Sequence, residues 1–285
     1  MFLFRIAGVS PAHPPDVYAV FGLPVAGNPT QEMVEAAFAA AGVNARYLSL
    51  TVEPRDLAQA VLGARALGFN GFNVTVPHKV AILPLLDALT EAAELAGAVN
   101  CVKRDGDRLA GDNTDGRGFL DALRAELDPA GARVVVIGAG GAARAIVAEL
   151  ALAGAGAITI ANRSLARAEE IAAAIGTRCS AVELTDGWAV PTDADVVVQA
   201  TTVGMGDADA RLPIRWGSPD GDAVAADVVF DPARTAFLED AALAGYRTID
   251  GLGMLVEQAV IGFRWWTGVE PDAGVMRAAL ERELA

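Results

Sequence analysis

The stretch Arg133-Val-Val-Val-Ile-Gly-Ala-Gly-Gly-Ala-Ala-Arg144 constrains the fold more than any other. An apolar, β-branched run reads as a buried strand, breaks at Gly138, and gives way to an Ala-rich helix through Leu150. In the turn Gly138-Ala-Gly-Gly141, Gly138 allows the tight bend and Gly140 lets backbone approach a pyrophosphate. Ala142 and Ala143 keep the helix close to the sheet, and its N-terminal N–H groups and dipole complete an anion site. A glycine turn beside a packed helix can also be purely structural, so the context decides. A second strand, predicted over 157–161, ends near the spacing where the adenosine ribose of a dinucleotide is read. The usual acidic residue is missing there. Asn162-Arg163-Ser164 takes its place with Arg167 one turn on, and arginines suit a 2′-phosphate, so the expected cofactor is NADP rather than NAD.

Strands predicted near 133–137, 157–161, 177–181, 195–199, 223–229 and 246–249 continue this pattern as βα units of a doubly wound sheet. Gln199-Ala-Thr-Thr-Val-Gly-Met205 follows one of them, and Thr201 thus lies at the carboxyl edge where open α/β sheets bind ligands. The earlier half alternates strands and helices without the glycine turn. At 285 residues, 53% of them apolar, the chain suits two domains better than one.

Composition excludes several classes. A formal charge of −14 with no basic run argues against nucleic acid or an anionic membrane as partner. No apolar run reaches transmembrane length, and residues 1–20, broken by Arg5, His13 and prolines, do not read as a signal peptide, so a cytoplasmic location is expected. Cys101 and Cys179 lack metal spacing and read as buried free thiols; no metal is expected. Of the 22 basic residues only Lys79 and Lys103 are lysines, which singles out both.

In the first half, a strand over 16–22 runs into the turn-rich loop Gly22-Leu-Pro-Val-Ala-Gly-Asn-Pro-Thr30, where Thr30 is either the N-cap of the next helix or a ligand contact. In Gly71-Phe-Asn-Val-Thr-Val-Pro-His-Lys79, Asn73 and Thr75 share one face of a strand that ends at Pro77. Lys79 is expected to begin a helix, as a solvated lysine or as a functional one, and His78 is expected to be structural. A hairpin turns at Asp105-Gly106 and leads to Gly111-Asp-Asn-Thr-Asp-Gly116; one of Asp112, Asn113, Thr114 and Asp115 must cap the helix beyond. Near the end, Trp265 and Trp266 read as packing residues.

Together Asn73-Val-Thr-Val-Pro-His-Lys79, Gly97-Ala-Val-Asn100, Gly111-Asp-Asn-Thr-Asp115, Gly138-Ala-Gly-Gly141, Asn162-Arg163 and Gly251-Leu-Gly-Met-Leu-Val-Glu-Gln258 resemble the shikimate dehydrogenase family, over nearly the whole chain from Val17. The resemblance implies an α/β protein with an N-terminal α/β substrate domain and a Rossmann-type doubly wound dinucleotide-binding domain. The substrate domain would span 1–115 with the C-terminal helices 255–285, and the cofactor domain 116–254. It implies NADP-linked reduction of 3-dehydroshikimate to shikimate, with Lys79 and Asp115 on the catalytic pair. Asn73, Thr75, Asn100 and Gln258 fall on substrate positions, Met254 lies near the nicotinamide, and Gly251 opens the same motif on the cofactor side. The chemistry suits these residue types. An ammonium can stabilise the oxygen that gains charge as hydride arrives and supply its proton, while a carboxylate and amides hold vicinal hydroxyls in one pose.

The chain departs from the family's pattern at three places. Asn28 and Thr30 stand where two serines usually hold the substrate carboxylate, Phe230 replaces a tyrosine, and Gln199 replaces an asparagine. These changes gather at the carboxylate end and spare the catalytic end. The alternatives are therefore the same chemistry on quinate or another cyclic hydroxy acid, or a catalytically idle dinucleotide-binding sensor. A monomer or homodimer is expected.

Overall fold

The computed structural model describes residues 14–25 and 27–284 of the chain. The irregular N-terminal stretch expected over residues 1–13 lies outside the described residues.

The first half builds one sheet from β1 (Asp16–Gly22), β2 (Ala45–Thr51), β3 (Gly71–Val74), β4 (Ala88–Leu89), β5 (Cys101–Asp105) and β6 (Arg108–Asp112), in the order β2-β1-β3-β5-β6-β4. β1 pairs parallel with β2 and β3, whereas the hairpin β5–β6 joins antiparallel to β3. Helices α1 (Thr30–Ala41), α2 (Leu57–Leu67), α3 (Glu91–Ala96) and α4 (Asp115–Arg124) accompany it. Strand alternation divides the side chains between two cores. Ala19, Phe21, Phe72 and Val74 pack with α2 on one face, while Tyr18, Val20 and Tyr47 pack with α1 on the other.

The second half is a separate six-stranded sheet of β7 (Arg133–Ile137), β8 (Ala157–Asn162), β9 (Cys179–Glu183), β11 (Val196–Gln199), β13 (Val224–Asp227) and β14 (Arg247–Ile249). A small ribbon of β10 (Trp188–Ala189) and β12 (Ile214–Arg215) lies outside it. All pairings in the large sheet are parallel, in the order β14-β13-β11-β7-β8-β9. The chain starts at the centre in β7, winds outward through β8 and β9, then returns to wind the other way from β11. That is the doubly wound Rossmann order expected from the βα series, and its switch point falls between β7 and β11. Val134, Val136, Val196 and Val198 face α5 (Gly141–Leu152) and α6 (Leu165–Ile175); Val135, Ile137 and Val197 face α7 (Ala236–Ala244) on the other side.

The last two helices, α8 (Gly251–Thr267) and α9 (Ala273–Glu283), return to the first sheet. Leu252, Val256, Phe263, Trp266, Met276 and Leu280 complete the core around Tyr18 and Tyr47, and Trp266 Nε1 donates to the Val102 carbonyl at 2.9 Å. Both tryptophans belong to this packing, Trp266 buried and Trp265 at its margin. Met254 on the same helix packs against the core of the second sheet, so α8 bridges the two halves.

Candidate active site

Lys79 and Asp115 meet at the seam between the halves: Lys79 Nζ donates to Asp115 Oδ2 at 2.6 Å, with the side chains 24% and 9% exposed. The ammonium is reachable from solvent, whereas the carboxylate is almost closed off. Lys79 does not begin a helix as the sequence suggests. It lies in a run of turns after β3, because its carbonyl accepts from Val99 N at 2.8 Å and Pro84, lacking an N–H, cuts short any regular helix there. Asp115 is the first residue of α4, where the helix dipole favours a carboxylate. Thr114 is the capping position of that helix yet makes no side-chain cap; Asn113 Oδ1 takes the Asp115 N–H at 3.1 Å instead.

Asn100 joins the pair to the surrounding amides. Its Nδ2 donates to Asp115 Oδ1 at 2.8 Å and Thr114 Oγ1 at 2.9 Å, and its Oδ1 accepts from Thr114 N at 2.8 Å. Gln258 Oε1 lies 3.4 Å from both Asn100 Nδ2 and Thr114 Oγ1, while Gln258 Nε2 donates to the Leu255 carbonyl at 2.9 Å. Both protons of the Asn100 amide have partners inside the protein, and one of them holds Asp115 in place. Asn73, half-buried on β3, donates from Nδ2 to the Asn100 carbonyl at 2.9 Å and accepts at Oδ1 from the Tyr47 hydroxyl at 2.6 Å.

Other expected residues surround this network without a bond to it. Thr75 is half-buried, and its methyl group closes over Gly22, where a Cβ would come within 2.4 Å. Thr30 does not cap α1: it is the first helical residue after Pro29, and Asn28 Oδ1 accepts its N–H at 3.0 Å. Pro29 holds the capping position and offers no side-chain cap, so Asn28, one residue outside the helix, satisfies the first helical N–H and spends the accepting end of its amide on the loop. Phe230 reaches from the end of β13 to the core shared by α1 and α8, offering an aromatic ring and no hydroxyl. His78 is structural as expected: it is buried, with Nε2 2.8 Å from the Val52 carbonyl oxygen.

At the switch point, Gly138 has φ +120°, and a Cβ there would lie 2.7 Å from the Ala200 carbonyl oxygen, so no side chain fits. Gly140 is exposed with open space where a Cβ would be, which leaves room for a phosphate beside the N-terminus of α5 at Gly141 and Ala142. Ala143, one residue on, is the alanine fully buried against the sheet. Thr201 lines the same turn: its methyl lies near Gly138, its N–H meets Gln199 Oε1 at 2.5 Å and its Oγ1 accepts from Val203 N at 3.1 Å. Gln199, fully buried, also donates to the Val203 carbonyl at 2.7 Å, so it shapes this switch-point loop from within. It does not join Asn28 and Thr30 at the carboxylate end, as the sequence suggests, because it ends a central strand of the second sheet. Gly251 opens α8 against the Val229 carbonyl, where a Cβ would sit at 2.4 Å.

Asn162 ends β8 and donates to the Ser164 carbonyl at 2.9 Å; Arg163 and Arg167 follow, both exposed. Most arginines of this acidic chain find a carboxylate, yet among the described residues neither Arg163 nor Arg167 forms an ion pair. A tight switch-point turn, an open helix N-terminus and two uncommitted guanidiniums fit a phosphorylated dinucleotide. No group of His, Cys, Asp or Glu among the described residues could hold a metal. Cys101 is a buried free thiol, whereas Cys179 is only half-buried because β9 is an edge strand.

Sequence reasoning missed Tyr47 and the anchoring of the loop before α4. Asp112 is buried, accepts from Thr90 Oγ1 at 2.5 Å and Asn113 N at 2.8 Å, and pairs with Arg117. A tyrosine in the middle of β2 was the visible sign of a buried polar role; its partner two strands away was not.

The models of three domains match successive parts of the chain: the shikimate dehydrogenase substrate binding domain over residues 20–102, shikimate / quinate 5-dehydrogenase over 122–204, and the shikimate 5'-dehydrogenase C-terminal domain over 251–281. The chain is 46% identical to a shikimate dehydrogenase (NADP(+)) of Geobacter metallireducens, with 93% of this chain and 97% of that one covered. Among solved structures it is similar to 5-ketofructose reductase of Gluconobacter sp. strain CHM43, at 47% identity and a TM-score of 0.90 over 94% of this chain and 98% of that one. It is also similar to shikimate 5-dehydrogenase of Thermus thermophilus in complex with NADP(H) and shikimate, at 34% identity and a TM-score of 0.84 over 94% of this chain and all (100%) of that one.

Proposed function

The chain belongs to the shikimate dehydrogenase family, and from that premise we propose that it is an NADP-dependent oxidoreductase that reduces 3-dehydroshikimate to shikimate in aromatic amino acid biosynthesis. The observation that carries this reading is the Lys79–Asp115 pair, at 2.6 Å, with a reachable ammonium and a shielded carboxylate. NADP, when bound, supplies or accepts the hydride. Lys79 stabilises the charge that gathers on the carbonyl oxygen and gives it a proton, or takes that proton back in the reverse direction. Asp115 keeps the ammonium aimed, and Asn100 keeps Asp115 aimed. Asn73, Thr75, Asn100 and Gln258 orient the substrate ring, Asn28, Thr30 and Phe230 bound its far end, and Met254 would lie near the nicotinamide of a bound cofactor. Gly138, Gly140, Gly141, Ala142, Thr201 and Gly251 shape the dinucleotide site, with Asn162, Arg163 and Arg167 at the 2′-phosphate.

We infer the same division of labour for the two halves: residues 1–115 with 255–285 hold substrate and residues 116–254 hold cofactor. The protein works in the cytoplasm, as a monomer or homodimer, without nucleic-acid or membrane partners. None of its described helices is long and apolar enough to cross a membrane.

A second reading keeps the reaction and changes the substrate. The far end of the pocket has Phe230, which lacks the donor a tyrosine hydroxyl would give, and Asn28, whose oxygen is taken by the Thr30 N–H so that its amide faces outward with its protons. That donor set differs from a pair of hydroxyls and suits a changed substrate. Quinate, another cyclic hydroxy acid, or an uncharged keto-sugar of the kind named in the Gluconobacter protein are the candidates. A panel of 3-dehydroshikimate, shikimate, quinate and 5-ketofructose, assayed with NADPH or NADP and with NADH or NAD, tests both readings. The first predicts the highest kcat/KM on the shikimate pair, and the second predicts it on another member. Absence of turnover on every member would leave a dinucleotide-binding protein without this chemistry.

A further inference from the structure

We propose that Tyr47 is a positioning residue for the reaction, fixing the Asn73 carboxamide so that its free Nδ2 proton is presented to substrate. The inference rests on the reading of Asn73 as a substrate ligand. Tyr47 lies on the edge strand β2, and Asn73 on β3, with β1 between them. Their side chains share the α1–α8 face of the sheet, and the phenol spans the intervening strand to place its hydroxyl 2.6 Å from Asn73 Oδ1. Tyr47 is completely buried, and its ring packs beside Trp266 at a centroid distance of 6.2 Å. Burial pushes the phenol well above its ordinary value of 10.0, so it remains a protonated donor throughout the working range.

A carboxamide has one accepting and one donating end. With Oδ1 held by the Tyr47 hydroxyl and one Nδ2 proton held by the Asn100 carbonyl at 2.9 Å, rotation by half a turn would set Nδ2 against the phenol and Oδ1 against a carbonyl oxygen. The phenol oxygen could accept from Nδ2, but Oδ1 would face the Asn100 carbonyl in repulsion, so the carbonyl sets which end points where and the Tyr47 hydroxyl occupies the oxygen that results. The second Nδ2 proton is left for an acceptor in the half-open space on that face. The same donor-to-acceptor direction continues beyond Asn100, whose side-chain amide donates to Asp115 at 2.8 Å, the partner of Lys79. The substrate oxygen that meets this Nδ2 proton must offer a lone pair, which favours a hydroxyl that gives its own proton elsewhere.

The experiment is a double-mutant cycle on Tyr47→Phe and Asn73→Ala, using the panel substrate with the highest kcat/KM. Tyr47→Phe keeps the ring and its packing and removes only the oxygen. Losing one oriented hydrogen bond should raise the substrate KM about tenfold, with kcat within about threefold and the NADP KM unchanged. In the Asn73→Ala background the same change should add nothing, a coupling that a packing role would not produce. If Asn73→Ala weakens substrate and Tyr47→Phe either does not or does so equally in both backgrounds, the positioning role is overturned while Asn73 stands as a ligand. If Asn73→Ala itself leaves KM unchanged, the ligand reading falls and this inference falls with it. Thermal melts of all variants, matched to the parent, tie the KM changes to the site.

Discussion

At the scale of single residues, two carboxylates illustrate opposite environments. Asp115 is nearly buried yet faces an ammonium, an amide and a helix N-terminus. Asp227 is buried against Thr235 and the Val229 N–H with no cation among the described residues beside it, and burial pushes it from an ordinary 3.8 up to about 6. Because the folded form binds this proton more readily than the unfolded one, its share of stability is fully present below pH 3.8 and is lost as pH rises through about 6. The charged form thus costs the fold roughly 3 kcal/mol at neutral pH. Denaturant titrations of Asp227→Asn and the parent should show the variant gaining on the parent by up to about that amount between pH 4 and 7. A difference independent of pH would place the shift elsewhere. Arg163 and Arg167 make the second residue-scale prediction: replacing both by Ala should weaken NADPH about 10- to 100-fold while leaving NADH nearly unchanged, as read by fluorescence titration. Equal losses for both cofactors would remove the 2′-phosphate contact.

At the scale of elements, the seam is set by how closely three helices approach. Gly118 on α4 faces α8, where a Cβ would stand 2.5 Å from Gln258 N, and Gly116 faces α5, where it would stand 2.3 Å from the Ala145 carbonyl oxygen. Both obstacles are backbone and cannot rotate aside. Gly118→Ala should cost about 1–3 kcal/mol of stability and disturb Gln258, raising substrate KM; unchanged melting and kinetics would mean the helices have slack. The β2 edge is similarly specific: Glu35 and Gln31 on α1 accept the Tyr47 and Ser49 N–H groups at 2.7 and 3.0 Å, blunting an edge that could pair with another chain. The βα series and the β5–β6 hairpin were legible because local patterning and glycine turns dictate them. The conformation around Lys79 was not, since it depends on a bond to Val99, and neither was the start of α1, where Pro29 takes the capping position and Asn28 accepts the Thr30 N–H. The ammonium and carboxylate were readable as motifs, while the Tyr47 link needed the order β2-β1-β3, which no local signal encodes.

At the scale of the whole molecule, the last helices tie both halves together. Leu252, Val256, Phe263, Trp266, Met276 and Leu280 cover one face of the first sheet, and Gln258 and Met254 from the same segment reach the site and the second core. A chain ending at Asp250 should therefore lose its native near-ultraviolet signal and bind a dye for exposed apolar surface; a native-like spectrum would show that the first sheet stands without them. Lys79 is the group that handles the proton in the proposed reaction. Steady-state turnover of Lys79→Ala, with NADPH binding measured on the same sample, tests it most directly. The expected result is a fall in kcat of about 10² to 10⁴-fold with NADPH affinity within about twofold of the parent. Undiminished kcat would contradict the account, because the ammonium would then be no part of the chemistry.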